Sequence, residues 1–286
     1  MARKKPLDRT RQGDVQVGLP PIPNAEKSEQ SGALNRGLRI LSAVVAAERP
    51  MGLSDISAAV DLAPATVHRL LQSLVSGRYL YCDDAGRFCP MPKTVSPLGS
   101  LHPLVQLRQG ARSILAELQK KHGPTAALNV IMGTARLVVD YVAAENQFLP
   151  YIDTDLRTPL HASTSGKLLL SDLPLERCVE ILGPGPYKAF TEHTITAPAT
   201  LFAQFEDVKR LGYASNFNEH MQGITSIGAP IFAASGKILG SIVLSGASHF
   251  FREENVEQIK TDVKQAAYLF SFASPAMRAV ARFIGK

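Results

Sequence analysis

From Leu34 onward, apolar residues recur at helical spacing: Leu34, Leu38, Leu41, Val44 and Val45. Ser31 offers an N-cap and Pro50 a stop, so a first helix is predicted there, packed against the two that follow. Ser54 is placed to cap a short helix over Asp55–Val60, with Ile56 and Ala59 facing inward. Asp61 and Leu62 make a turn. Ala63 or Pro64 opens the next helix, where a missing N–H costs nothing. Its buried stripe is Val67, Leu70, Leu71, Leu74 and Val75; its other face carries Ala65, Thr66, His68, Arg69, Gln72 and Ser73. Gly77 ends it, as the residue that enters the left-handed region most readily.

Two short apolar runs follow, Tyr79–Cys82 and Arg87–Cys89, around the turn Asp83-Asp84-Ala85-Gly86. That is a hairpin, the wing of a winged helix-turn-helix. Residues 90–102 read as a linker rich in Pro, Ser and Gly. A helix over Pro103–Lys121 presents Leu104, Leu107, Ala111, Ile114, Leu115 and Leu118 on one face and stops at His122-Gly123-Pro124.

Strand and helix patterns then alternate. Strands are expected at Ala127–Met132, Leu137–Ala143, Phe148–Ile152, Tyr213–Phe217, Ile224–Phe232 and Ile238–Ser245. Helices are expected from Ser163 as N-cap through Leu170, at Leu175–Ile181, at Ala199–Leu211, and at Arg252–Phe272. The fold class is α+β: an N-terminal winged helix-turn-helix, a linker helix and a C-terminal α/β sensor domain. The predicted division is a disordered arm over 1–30, the winged domain over 31–92, linker and linker helix over 93–121, the sensor domain over 122–275, and a tail over 276–286.

A chain of 286 residues suits two domains. No apolar run reaches the ~18 residues a membrane span needs, and no h-region follows the basic N-terminus, so a cytoplasmic location is expected. The net charge of +6 is concentrated early: residues 1–100 hold 13 Lys/Arg against 9 Asp/Glu, the remainder 18 against 16. That excess suits an anionic partner at the N-terminal end. Arg3, Lys4, Lys5, Arg9 and Arg11 in the arm are candidates for phosphate contact. Cys82, Cys89 and Cys178 fit no zinc or redox spacing and are read as reduced thiols.

Small and hydrogen-bonding residues at the start of the second helix are what a reader of the DNA major groove needs. The candidate DNA contacts are Ala65, Thr66, His68 and Arg69, with Arg36, Arg78 and Arg87 toward phosphates. In the second half, Thr164 and Ser165 lie near a helix N-terminus, where free N–H groups suit a carboxylate. Asn216, Ser226 and Ser245, on strands, add hydroxyl or amide groups. His161, Ser163, Ser165 and Lys167 lie close in sequence, and a Ser–Lys or Ser–His pair is a catalytic arrangement. No Gly-x-Ser-x-Gly elbow is present, however, so no catalysis is expected and His161 reads as a hydrogen-bonded structural residue. His193, His220 and His249 lack the paired spacing of a metal site. No metal or cofactor is expected.

Residues 34–92 resemble the DNA-binding domain of the IclR family of bacterial transcription regulators. The resemblance is carried by L-N-R-G-L-R-I-L (34–41), L-S-D-I (53–56), T-V-H-R-L-L-Q-S-L (66–74) and G-R-Y-L (77–80). Two positions depart from the family pattern: Asp61 replaces the turn Gly, and Ala63 replaces the Pro after the turn Leu. Asp enters the left-handed region at modest cost, so the turn is expected to survive. The second half resembles the family's effector-binding (GAF-like) domain through P-L-H-A-S-T-S-G-K-L-L-L (159–170), L-G-Y-A (211–214), G-I-T-S-I-G-A-P-I-F (223–232) and G-S-I-V-L-S-G (240–246). The resemblance covers about residues 31–275.

By position, the family's pocket for small carboxylic acids implies Thr164, Ser165, Asn216, Ser226 and Ser245 as effector contacts, with Leu149 as an apolar wall. Ser226 stands where a Cys is frequent, and Asn216 near a frequent acidic position, so neutral hydrogen bonding replaces charge and thiol. The resemblance implies a regulator that binds a double-stranded DNA operator under control of a small organic acid or aromatic catabolite, as a homodimer or homotetramer. Alternatives are a metabolite-binding module whose helix-turn-helix contacts protein, and a small-molecule hydrolase using Ser163 or Ser165.

Overall fold

The computed structural model describes residues 32–95, 98–144 and 159–284. These divide into two compact units between Val105 and Gln106.

The N-terminal unit holds helices α1 (Ala33–Ala46), α2 (Leu53–Val60) and α3 (Pro64–Ser76), then strands β1 (Leu80–Cys82) and β2 (Phe88–Pro90) and the single-turn helix α4 (Pro92–Val95). Its core is Ile40, Val44, Ile56, Val60, Val67, Leu71, Leu80 and Phe88. In α1 the predicted stripe is only partly inward: Val44 is buried with Ile40, whereas Leu34, Leu38 and Val45 are exposed. In α2 the inward residues are Ile56, Ser57 and Val60, and the expected Ala59 is exposed. Val60 follows Ile56 by four positions, about one helical turn, and Ala59 falls to the side of that line. The N-cap is Gly52 rather than Ser54, which lies inside the first turn. The Arg39 guanidinium donates to the Val60 carbonyl at 2.5 Å, satisfying one of the free C=O groups at the end of α2. Asp61 follows in the left-handed conformation (φ 51°, ψ 55°), so the Gly-to-Asp departure keeps the turn.

The end of α3 differs from expectation. Gly77 keeps a right-handed backbone (φ −73°), and Arg78 is the left-handed residue (φ 60°). Tyr79 N donates to Leu74 O and Arg78 N to Val75 O, both at 2.9 Å, which is the Schellman pattern with Arg78 at C′. Gly77 instead sits in tight space. A Cβ there would lie 3.1 Å from the Tyr79 ring and 3.2 Å from Ser73 O. β1 and β2 pair antiparallel, and Met51 adds a bridge to Phe88.

In the C-terminal unit, helix α5 (Pro103–His122) leads into strands β3 (Thr125–Met132) and β4 (Ala135–Val142). A 3₁₀ turn (Leu160–Ala162) precedes α6 (Thr164–Ser171), α7 (Leu175–Leu182) and α8 (Pro198–Leu211). Then come β5 (Ala214–Phe217), β6 (Ile224–Phe232), β7 (Ile238–Ala247) and α9 (Glu253–Ala273). The strands form one antiparallel sheet in the order β4-β3-β7-β6-β5. β6 and β7 are buried at nearly every position, so both their faces are covered, and α6 and α9 are the helices that pack on them. Arg108 and Arg112 reach the buried Asp140 of β4, and Lys121 and His122 pair with Asp262 of α9, which fixes α5 at both ends of this span.

The expected tail over 276–286 instead holds a helix, α10 (Pro275–Phe283), capped by Ser274, with Met277, Val280 and Ala281 buried. The expected arm (1–30), the Ser31 cap, the Phe148–Ile152 strand and Leu149 lie outside the described residues. Among the described residues, no helix is long and apolar enough to cross a membrane.

Candidate functional site

Antiparallel register builds the site of the C-terminal unit. Asn216 on β5 lies opposite Ser226 on β6, Ser226 opposite Ser245 on β7, and Ser245 opposite Thr125 on β3. Directly opposed residues share a face, so four polar side chains form one row across four strands. Three of them were expected from the sequence. Thr125 was missed, because its partnership across β3 and β7 becomes visible only once the sheet order is known. Its Oγ1 accepts from Ala144 N at 3.0 Å.

Helix α6 sits above this row. Thr164 Oγ1 lies 2.6 Å from Ser226 Oγ and donates to Ser226 O at 3.2 Å. Gly228, two residues along β6 on the same face, makes the approach possible: a Cβ there would lie 3.0 Å from the Thr164 methyl and 2.8 Å from Ile242 O. The 3₁₀ turn folds back so tightly that a Cβ on Gly166 would lie 2.2 Å from Leu160 O. Ser163 is the N-cap as expected, its Oγ accepting from Gly166 N at 3.3 Å. This first turn therefore presents its N-terminus over a polar strand row, an arrangement suited to holding an anion.

The remaining candidates are placed differently. Ser165 points to another row: its hydroxyl lies 3.3 Å from Ser241 Oγ, which accepts from the Asn129 amide at 3.4 Å. Asn129 and Ser241 are fully buried and were not singled out from the sequence, since each sits in an apolar strand pattern. Asn216 commits both ends of its amide. Nδ2 donates to Ala162 O at 2.6 Å and Oδ1 accepts from Glu219 N at 2.8 Å. Its neutral amide thus serves the loop as well as the row.

The titratable groups nearby are engaged with one another. Lys167 is buried, with Nζ 2.5 Å from Glu219 Oε1 and 3.1 Å from Ser215 O. Burial pushes the Lys167 ammonium below its ordinary value, against the pull of Glu219. Burial raises the Glu219 carboxyl, against the pull of Lys167. His161 Nε2 donates to Lys188 O at 2.9 Å, with its ring between Tyr187 and Phe190. Among these bonds, none joins a serine hydroxyl to His161 or Lys167. Among the described residues, no group of three or more His, Cys, Asp or Glu side chains is set to hold a metal ion.

In the N-terminal unit, Ala65, His68, Arg69 and Arg78 are exposed and Thr66 is half-buried. All but Arg78 lie on the first two turns of α3. Gln72 and Ser73 continue that exposed face. Arg36 is half-buried on α1, with its Nε enclosed by protein. Arg87 is held in the wing by Asp83: its Nε and Nη2 each lie 2.9 Å from Asp83 Oδ2, and its backbone N–H donates to Oδ1 at 2.8 Å.

A three-helix unit with a two-stranded wing, followed by a five-stranded sheet with a polar row under a helix N-terminus, defines the class of winged-helix regulators with a sensor domain. Comparison with known proteins assigns it more narrowly. Residues 33–84 match the IclR helix-turn-helix domain, and residues 101–272 match the domain described as bacterial transcriptional regulator IclR C-terminal. The chain belongs to the IclR family of DNA-binding transcription regulators. It is 29% identical over 249 residues to the HTH-type transcriptional regulator BhcR of Paracoccus denitrificans, covering 87% of this chain and 89% of that one. It is 27% identical over 226 residues to the HTH-type transcriptional repressor AllR of Klebsiella pneumoniae, covering 78% and 82%. Among solved structures, it resembles the Thermotoga maritima IclR (TM-score 0.67, 24% identity, 88% of this chain and 98% of that one). It also resembles an IclR homolog from Microbacterium hydrocarbonoxydans complexed with 4-hydroxybenzoate (TM-score 0.64, 21% identity, 88% and 100%).

Proposed function

We propose that this regulator binds its operator under the control of a small organic acid, and that the acid sits beside the Thr164–Ser226 contact, where the first turn of α6 meets the strand row of Asn216, Ser226, Ser245 and Thr125. The observation that carries this reading is that row: four polar side chains aligned on one face, with Ser226 bonded to the first residue of α6. Neutral hydroxyl and N–H groups hold the carboxylate, because Lys167, the buried cation beside them, is committed to Glu219. The 4-hydroxybenzoate bound by the Microbacterium homolog supports an aromatic carboxylate as the first compound to try.

On the DNA side, Ala65, Thr66, His68 and Arg69 read base edges, and Arg36, Arg78 and Arg87 meet phosphates. One winged unit contacts too few base pairs to select a single genomic site, so two or more copies act together. The exposed apolar side chains of α1 (Leu34, Leu38, Val45) and α9 (Tyr268, Leu269, Phe272) support self-association. The acid acts by favouring one of two arrangements of the paired DNA-binding units, which requires different affinities for the two.

A thermal-shift screen of small carboxylates, followed by gel shifts on the upstream DNA of its own gene, tests the reading. An acid that stabilises the protein should also change operator affinity. Stabilisation with no change in DNA binding would overturn control of operator binding by the acid, and absence of salt-dependent binding to the upstream DNA would favour a metabolite-binding module.

A further inference from the structure

Lys167 and Glu219 form an ion pair enclosed in the C-terminal unit, 1% and 6% exposed. Burying two charges costs desolvation that their attraction often does not return, and two apolar side chains of similar size frequently do as well. Here the account is less favourable still, because Glu219 Oε2 has no hydrogen-bond partner. Stability alone does not explain why the pair is there.

Its connections offer another explanation. Lys167 lies on α6 three residues beyond Thr164, and its Nζ bonds both Glu219 and Ser215 O. The Glu219 backbone N–H donates to the Asn216 amide, and that amide donates to Ala162 O, immediately before the Ser163 cap. The bonds close a ring: α6, Lys167, Glu219, Asn216, Ala162, Ser163 and back to α6. Drawing the first turn of α6 away from β5 would stretch these bonds. The ring is also tied to the neighbouring loop. Glu219 O accepts from Thr194 Oγ1 at 2.5 Å, and Asn218 O accepts from Thr191 Oγ1 at 2.6 Å.

We propose that Lys167 and Glu219 are positioning residues of the effector site, a buried latch that sets the first turn of α6 over the polar row and links the site to the 191–194 and 218–220 loops. This rests on the effector-site reading above. The pair touches no ligand itself; it fixes the distance between the groups that do. Without it, the row and the helix remain but their spacing is no longer single-valued.

The test uses the full chain with Lys167→Met/Glu219→Leu, which removes both charges and leaves neither buried alone. Arg177→Ala/Glu180→Ala, an exposed pair on α7, is the control. Hydrogen exchange without ligand should speed up by about ten-fold or more in peptides over 160–168 and 214–220, while β7 and α9 stay within about two-fold of the parent. Unchanged exchange in both segments, or an equal rise across the whole unit, overturns the latch. Should the double variant not fold, Glu219→Gln is read by the same criteria.

In the second arm, 4-hydroxybenzoate affinity should fall about ten-fold or more in the double variant and stay unchanged in the control. Equal affinities in parent and variant overturn the positioning role. If 4-hydroxybenzoate does not bind the parent, that counts against this compound as effector, and the exchange result decides the latch by itself.

Discussion

Thr164 Oγ1 and Ser226 Oγ lie 2.6 Å apart, so the first residue of α6 is tied side chain to side chain onto the strand row below it. Both hydroxyls are buried, and removing one leaves the other without its partner. Thr164→Val should therefore cost about 1–3 kcal/mol of stability in the C-terminal unit. The double variant Thr164→Val/Ser226→Ala should cost clearly less than the sum of the singles, because the second change removes a hydroxyl already left unsatisfied. Urea denaturation of the four proteins measures this. Additive losses would mean that the two groups are not bonded to each other.

The Asp83–Arg87 pair sets up the second prediction. Asp83 accepts from the N–H groups of Ala85 and Arg87 and pairs with the Arg87 guanidinium, and these contacts hold its carboxyl below the usual value despite an opposing desolvation effect. Asp83→Asn keeps an acceptor for the turn but removes the negative charge that competes with phosphate for Arg87. Operator affinity in gel shifts should rise a few-fold, with a steeper dependence on salt. Arg87→Ala should weaken binding across all sequences and lower the salt slope by about one. Arg69→Ala should instead reduce the preference for operator over unrelated DNA, since Arg69 lies on the exposed face of α3. Matching salt slopes for Asp83→Asn, Arg87→Ala and the parent would remove the wing from the phosphate contacts.

At the end of α3, backbone conformation and charge can be separated. Arg78 carries the left-handed conformation that a glycine would adopt freely, while Gly77 beside it is right-handed. Arg78→Gly should raise stability by about 0.5–1 kcal/mol through relief of that conformation. It should at the same time weaken operator binding through the lost charge. Gly77→Ala should destabilise, because its methyl meets the Tyr79 ring and Ser73 O. Thermal melts and gel shifts on the same samples check both halves. A stabilised Arg78→Gly that binds DNA as the parent does would take Arg78 off the list of phosphate contacts.

These cases mark how far the sequence could be read. The 3.6-residue repeats through Val67, Leu71 and Leu74 and the strand runs near Ile227 and Leu244 located nearly every described element, because burial on one face imposes its period on the chain. Ser226 and Ser245 were reached by position, through the resemblance to the family's acid pocket. What stayed hidden depended on pairing over long distances. Thr125 and Ser245 are 120 positions apart, and Glu219 reaches Lys167 across 52. The glycine swap at 77 and 78 was hidden for a different reason. The composition rule puts Gly in the left-handed position, but the Tyr79 ring had already claimed the space beside Gly77. α10 was missed because an amphipathic helix at a chain end looks like a polar tail until Met277, Val280 and Ala281 find a surface to cover.

Acid should weaken the C-terminal unit through His161. Its ring is buried between Tyr187 and Phe190, with Nε2 donating to Lys188 O. Burial holds its pKa below the ordinary 6.5, the Lys188 carbonyl opposes that, and the Lys167 charge lowers it further. His220, edge-on to Phe190 at 4.9 Å, is depressed by burial and by His161. Tyr187 also borders the ring, the Lys188 ammonium lies over Phe190, and Lys167 is paired with Glu219. A histidine depressed in the folded state binds fewer protons than in the unfolded chain once the pH is below 6.5. Stability should therefore be flat in this contribution above 6.5 and fall as the pH drops below it, by at most about 1.4 kcal/mol per pH unit for each such histidine. Glu219, raised by burial, acts in the opposite sense, gaining stability as the pH falls toward the ordinary carboxyl value. His161→Gln keeps a side-chain N–H donor for Lys188 O and cannot titrate. Unfolding free energies at about pH 7.5 and about pH 5.5 should differ less in that variant than in the parent. An equal difference in the two proteins would assign the acid sensitivity to groups other than His161.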